Sequence, residues 1–393
     1  MKNLIIILTI LCASVTKTNA QWQQTTAPVG NSITCLSVLN TNIFAGTAGG
    51  GIIMSSDSGS NWVTKNTGIS NLNIKAIGSD TSGNLYAGSN SLVLYTSSDS
   101  GNNWVSHSAG GTGTSISSIV AYGTNVLLGE AGDGVFKSVN YGVSWSEVGL
   151  CCASVLSLCS EQNGYVFAGT NTTVYRSSGT FTNWTQVNSG LSSIPVRVLV
   201  TSGNTIFAGT YGNGIYISAN NGTSWTQANN GLTDLHVISM TATDSKIFAG
   251  TGAGGVFYSI DNGLNWIQVN ENLSYLDIPS LVICGNYVYA GTTNGGIWKR
   301  PLSEFTMIKE INNNPGIVVS PNPASNIITV YFDSNMEPDA TLKIYDILGS
   351  LMMSEPLKRE RNEINVSDFV NGIYLIEVTT KNHTEKQKII IQK

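Results

Sequence analysis

Two carboxylates and an imidazole fall close together in the second half of the chain, at Asp234, His236 and Asp277, with Tyr211 and Tyr275 nearby. Glycoside hydrolysis needs two carboxyl groups across a cleft, one as acid and one as base or nucleophile. Asp234 and Asp277 are the pair such a reaction would use. Tyrosine rings offer flat apolar area with a polar edge, which suits contact with sugar rings or protein side chains. His236 alone makes no metal site, and no metal or cofactor is expected. Runs such as Gly252-Ala253-Gly254-Gly255 are not phosphate loops, because no helix follows to receive an anion. No catalytic residue is assigned, and the five residues stand as candidates for ligand contact.

A second set of acids recurs in the pattern Ser-x-Asp-x-Gly-x-x-Trp. Full copies run from Ser55 to Trp62, Ser97 to Trp104 and Ser259 to Trp266, with acids Asp57, Asp99 and Asp261. The copies from Ser138 to Trp145 and Ser218 to Trp225 carry Asn140 and Asn220 instead, and that from Ser177 to Trp184 is degenerate. Asp and Asn side chains both accept bonds from backbone N–H groups a few residues on and so fix a turn. A general acid or nucleophile would not tolerate Asn. These five residues are therefore structural, and each Trp is expected to bury its ring between neighbouring sheets.

The elements that position these residues follow from a repeat. A phrase like Phe-Ala-Gly-Thr recurs with its Gly at 46, 88, 129, 169, 209, 250 and 291, at intervals of 40 to 42 residues. That period is the length of one four-stranded propeller blade. Stretches such as Thr205 to Thr210 and Gly214 to Ile217 are rich in β-branched and aromatic residues, as strands require. In the fifth repeat, strand A is read at about 196–200, B at 205–209 and C at 214–218, with D starting at Trp225. Strand A carries a small residue at Cys35, Ala76, Ser118, Ser157, Ser239 and Ser280, with Val198 the exception, as crowding near a central axis demands. The strand D Trp appears at 22, 62, 104, 145, 184, 225 and 266, so one D strand precedes the first A strand and the last repeat lacks its own. The segment near Gln21 to Gln24 is expected to close the ring as strand D of blade seven, leaving no open edge. The fold class is thus all-β, a seven-bladed propeller with N-terminal strand closure.

Composition narrows the function. Formal net charge is −5, charged residues are only 11%, and no cluster of Lys and Arg is present to neutralise phosphates, which excludes a nucleic-acid partner. The ends carry their own signals. Lys2, the apolar run from Leu4 to Val15 and Thr18-Asn19-Ala20 read as a cleaved signal peptide over residues 1–20, and no later segment is apolar enough to span a membrane. The five cysteines beyond it, Cys35, Cys151, Cys152, Cys159 and Cys284, fit neither a zinc site nor a disulfide framework, and they read mainly as small buried side chains. The adjacent Cys151-Cys152 pair leaves a vicinal disulfide open.

The repeats resemble the BNR/Asp-box propellers of sialidases, xyloglucan-cleaving glycosidases, sortilin-type receptors and photosystem II assembly factors, over residues 21–301. The resemblance implies a propeller whose Asp-box turns share one face. Its ligands would sit on the opposite face, formed by D–A and B–C loops. Tyr211 falls in a B–C loop, Asp234 and His236 before strand A of blade six, and Tyr275 and Asp277 before that of blade seven. Sialidases need three arginines around a carboxylate. Here Arg176, Arg197 and Arg300 fall on strands C, A and C, and no Arg-Ile-Pro motif opens the chain.

The tail, residues 318–393, resembles the C-terminal sorting domain of type IX secretion. It carries Ser320-Pro321-Asn322-Pro323-Ala324, Leu342-Lys343-Ile344-Tyr345-Asp346, Asn371-Gly372-Ile373-Tyr374 and a basic end. Charge density supports a boundary, with 21 charged residues in the 92 from 302 onward against 20 in the 281 before. A linker is expected over 302–317 and a small immunoglobulin-like β-sandwich after it. The resemblance implies the type IX machinery as a partner, passage through the periplasm, and residence at the outer-membrane surface of a Gram-negative bacterium or release from it. The expected function is binding or scaffolding, with an extracellular glycan or a surface protein as partner. A polysaccharide-cleaving hydrolase or lyase and a structural adhesion component are the alternatives.

Overall fold

The recurrent Gly is explained by what crowds it. A Cβ at Gly46 would come within 2.7 Å of Ile74 Cγ2, the first residue of the next repeat's inner strand. The same holds in order around the repeats: Gly88 meets Ile116, Gly129 meets Val155, Gly169 meets Val196 and Gly209 meets Val237, while Gly250 meets Ile278, two residues before its inner strand. The last, Gly291, meets Ile33 of the first repeat at 2.4 Å, so the series is cyclic. Each repeat leans its opening β-branched side chain onto bare backbone of its predecessor. Any side chain at those glycines would push two sheets apart.

A computed structural model describes residues 21–305 and 317–393, apart from 29, 123–124, 162–163, 192, 244–245, 323, 333–339, 347–348, 358–360 and 380–383. The expected signal peptide and most of the expected linker lie outside the described residues. The chain divides into two compact units, the first ending at Thr306 and the second starting at Met307.

Among the described residues, the first unit contains seven four-stranded antiparallel sheets. We number them as blades one to seven by their inner strands, labelled A: Ile33–Leu39, Ile74–Ser79, Ile116–Tyr122, Val155–Ser160, Val196–Ser202, Val237–Ala242 and Ser280–Cys284. Each A strand touches the next, and the seventh touches the first. Blade seven is completed from the N-terminus, where Gln23 and Gln24 pair with Lys299 and Trp298. Trp22 beside them is fully buried and donates its indole N–H to Val269 O at 2.6 Å. The second strand of each blade, as in Asn42–Thr47, is buried on both faces, which is why Phe-Ala-Gly-Thr reads as a continuous apolar run.

The C–D turns take the geometry their sequence implies. In blade one, Ser55 Oγ accepts the Gly59 N–H at 2.9 Å, and Asp57 Oδ1 accepts the Asn61 N–H at 2.8 Å. Ser58 and Gly59 both adopt left-handed φ, 59° and 83°. Asn140 and Asn220 hold the equivalent turns, accepting the N–H groups of Ser144 and Ser224. The degenerate turn keeps a bond from its leading serine, Ser177 Oγ donating to Asn183 O at 2.7 Å, and buries Phe181, 1% exposed, at the Gly position.

The first unit's packing runs past Arg300. Phe305 is 1% exposed and meets Phe248 and Tyr258 edge-on at 4.7 and 5.1 Å. The start of the expected linker thus belongs to the core of the first unit. Among the described residues, the second unit has two sheets of three and four strands. Alternating residues such as Ile328 and Val330, or Leu342 and Ile344, meet in one core with Tyr374 and Ile376. Those two sheets make the small sandwich expected of the tail.

Candidate functional site

Antiparallel order places D–A and B–C loops at one end of every blade and the Asp-box turns at the other. Strand A begins at the loop end, so its first residues line the mouth of the axis. Thr34, Lys75, Ser117, Leu156, Arg197, Ile238 and Pro279 recur one per blade and line an axial cavity of about 600 Å³. His236 and Asp277 border the same cavity. Beneath lies a narrower level of about 240 Å³, where small residues such as Ala76, Ser118 and Ser239 succeed the first ring.

The five candidate residues divide by role. Tyr211, 54% exposed, bridges to His236 through the backbone, and their rings meet edge-on at 4.0 Å. Arg197 reaches from the axis to 6.0 Å from the Tyr211 ring. These three side chains form one continuous strip from the lumen to the rim. The Nε2 of His236 is buried and has no hydrogen-bond partner among the described residues. Tyr275, 44% exposed, lies against Gly295, where an added Cβ would be 2.2 Å from its ring. Asp277 accepts the Thr293 hydroxyl at 2.7 Å.

Asp234 is a brace. Its Oδ1 accepts the His236 N–H at 3.0 Å, and its Oδ2 accepts those of Ala253 and Gly254 at 2.9 and 2.7 Å. Burial pushes its carboxyl upward, but these N–H donors and the Thr251 hydroxyl outweigh it and hold the group below the usual range. It fixes the glycine-rich loop of blade six and presents His236.

The sequence reasoning missed Lys75 and Arg197 as lumen residues. The signal was present, since each immediately precedes the recurrent strand A position, occupied by Ala76 in one repeat and by the exceptional Val198 in the other. The other two arginines are engaged elsewhere. Arg176 donates to Asn221 O at 2.7 Å, and the buried Arg300 pairs with Glu271 and Glu304 at 2.7 and 3.1 Å. No arginine triad assembles from these three positions.

The five described cysteines are free, and only Cys159 is buried as expected of them; Cys35 and Cys284 are partly buried, and Cys151 and Cys152 are exposed with their Sγ atoms 3.2 Å apart. A groove of about 560 Å³ lies beside the turns of blades five and six, but its one carboxylate, Asp261, is committed to its own turn.

The class this architecture defines is a β-propeller joined to a secretion sorting domain. Residues 318–392 match the secretion system C-terminal sorting domain, and residues 153–294 match the DUF6242 beta propeller domain. The chain is therefore an all-β propeller protein carrying a type IX sorting tail, which directs export to the outer-membrane surface or the extracellular space. Among the described residues, no helix is long and apolar enough to cross a membrane. No curated protein matches the sequence significantly.

Solved structures share the fold. A YCF48 protein bound to a D1 peptide matches at TM-score 0.60 and 14% identity, over 71% of this chain and 96% of that one. YCF48 from Cyanidioschyzon merolae matches at 0.58 and 14%, over 73% and 100%. The GH74 enzyme of Niastella koreensis matches at 0.60 and 13%, over 94% and 74%. At these identities the likeness is one of fold.

Proposed function

We propose that this is a non-catalytic binding propeller of the bacterial surface, which recognises a glycan or another surface protein at the mouth of its axial cavity. The observation that carries the reading is the strip Arg197–Tyr211–His236. It joins an exposed aromatic rim to a charged lumen, with Tyr275 exposed on the next blade. Concave sites with a few convergent polar groups and aromatic walls are the usual form of ligand sites. The committed state of Asp234 supports binding over hydrolysis, because a carboxylate saturated by backbone donors is a poor proton carrier. Asp277 then lacks Asp234 as the second acid of a two-carboxylate reaction. Residues 1–20 act as a cleaved leader, and the tail is removed on attachment or release.

The test is a glycan array together with a pull-down from native surface material, using the full mature chain. Tyr211→Ala combined with Tyr275→Ala should weaken a hit by about 1–4 kcal/mol while leaving Tm nearly unchanged. A hit insensitive to both changes would move the site elsewhere. Glycan cleavage abolished by Asp277→Asn would make the protein an enzyme.

A further inference from the structure

The inner ring places one side chain per blade at the same height on the axis, and five of the seven are uncharged. The exceptions are Lys75 on blade two and Arg197 on blade five, both exposed to the lumen. Neither makes an ion pair with an acid among the described residues, whereas Arg300 is paired twice. Two unpaired cations thus line one cavity in a chain of net charge −5. Like charges sharing a lumen repel, so they add nothing to the fold's stability and are available to an anion.

We infer that Lys75 and Arg197 bind the carboxylate of an acidic sugar, a uronate unit of a glycan chain. The inference rests on the reading that ligand enters at this mouth. The charge balance favours a single negative charge. The cavity's charged lining is Lys75, Arg197 and Asp277, so one carboxylate brings it to neutrality, and a dianion such as a phosphate would overshoot. The hydroxyls favour a sugar. Thr34 and Ser117 donate their protons to the backbone carbonyls of Ile74 and Val155 in the neighbouring blades. They therefore offer the lumen lone pairs, which accept from sugar hydroxyls. A peptide C-terminus is commonly held by a nest of backbone N–H groups. The A strands are extended, and successive N–H groups of an extended strand point in opposite directions, alternate ones pairing with the second strand of the blade, so they form no nest around an anion. The exposed faces of Tyr211 and Tyr275 give neighbouring sugar rings a platform at the rim.

The experiment is titration calorimetry of the full mature chain at low salt with three probes: oligogalacturonate, oligomannuronate and oligoglucuronate. Each is compared with its methyl ester, which keeps the shape and removes the charge. At least one acid form should bind, with its ester weaker by about tenfold or more, and added salt should weaken the acid form. Lys75→Gln and Arg197→Gln should each weaken it about tenfold with Tm unchanged. Equal affinity for acid and ester, or indifference to both substitutions, would overturn the inference. So would failure of all three uronates while a neutral glycan or a protein still binds in a manner dependent on Tyr211 and Tyr275, an outcome that leaves the broader reading intact. Absence of every ligand from this face would remove both.

Discussion

Asp261 and Asn265 lock the blade-six turn through two bonds, one from the Asn265 N–H to Oδ1 at 2.9 Å and one from its side-chain amide to Oδ2 at 2.6 Å. Where Asn replaces the acid, its partner changes in step. Asn140 and Asn220 face Ser144 and Ser224, and their amides donate to those hydroxyls at 2.9 and 2.8 Å. A carboxylate is matched with a donor, a carboxamide with a group that can accept. Asp261→Ala should cost about 0.5–2 kcal/mol, like the loss of a helix cap. Asp261→Asn should cost less, and Asn265→Ser added to it should recreate the pairing of blades three and five. Urea unfolding of the full chain measures all three, and equal losses for Ala and Asn would show that charge itself is needed. Burial raises the Asp261 carboxyl, but its Asn265 and Ser259 donors prevail and lower it. The donors of Asn61 and Asn103 hold Asp57 and Asp99 at about 2. Depressed carboxyls contribute stability above their unfolded value near 4, and that contribution is lost as pH falls through the folded value. Acid sensitivity below about pH 4 should attach to the turns of blades one, two and six, extending to about pH 2 in blades one and two, and spare those of three and five.

Closure of the ring rests on Trp22. Its indole donates to Val269, its N–H donates to Glu271 O, and its carbonyl accepts from Asn272 at 2.9 Å. Trp22→Ala should cost about 3–5 kcal/mol, the usual range for a large buried ring. Deleting residues 21–25 should also expose the Trp298 edge of blade seven. Thermal unfolding and light scattering read both effects. An unchanged Tm and a monomeric deletion would mean the ring closes without that strand.

Glu130 occupies a position held by Thr or Ser in the other six repeats. There, hydroxyls such as those of Thr47 and Thr292 donate to Gly51 O and Gly296 O, both at 2.9 Å. Glu130 is instead a fully buried carboxyl in blade three. Burial and then the charge of Asp133 push it up to about 7, with the Gly113 N–H partly opposing them. A raised carboxyl contributes full stability below its unfolded value near 4.3, and that is lost as pH rises through about 7. Glu130→Gln should therefore match the parent near pH 5 and exceed it above pH 8 by on the order of 2 kcal/mol. Urea midpoints across that range check the sign, and a variant less stable at every pH would refute the assignment.

The recurrent Gly, the small residues of strand A and the leading Trp22 made the propeller and its closure legible, because a period near 40 is imposed by the blade itself. Their physical cause was partly hidden. That Gly46 is bare to receive Ile74 of the next blade follows only once the sheets are placed side by side. The site was less legible. Tyr211 and His236 do meet, but Asp234 reads as a catalytic acid until the three backbone N–H groups on it are seen. Lys75 and Arg197 lie 122 positions apart in sequence, and only the shared axis brings them to one cavity. Phe305 was hidden for a related reason, since a charged stretch after Arg300 looks like linker until its one large aromatic finds Phe248.

Phe305 also fixes where an export test must cut. A chain ending at Thr306 keeps that ring, its contacts with Phe248 and Tyr258, and the Glu304 partner of Arg300. It should unfold at the temperature of the propeller in the full chain. A chain ending at Arg300 loses the ring and one of two carboxylates facing a buried guanidinium, and should be less stable by about 3–5 kcal/mol. Both lack the sorting domain matched over 318–392, so both should stay in the periplasm while the full chain reaches the surface. Comparing the two separates failure to fold from failure to be sorted, because only the longer one is stable and retained. Removal of the tail predicts that surface material yields propeller peptides and none beyond Val318 by mass spectrometry. Recovery of the intact Lys386–Lys393 segment from that material would show that the tail stays on, and efficient surface display of the Thr306 chain would show that export does not depend on it.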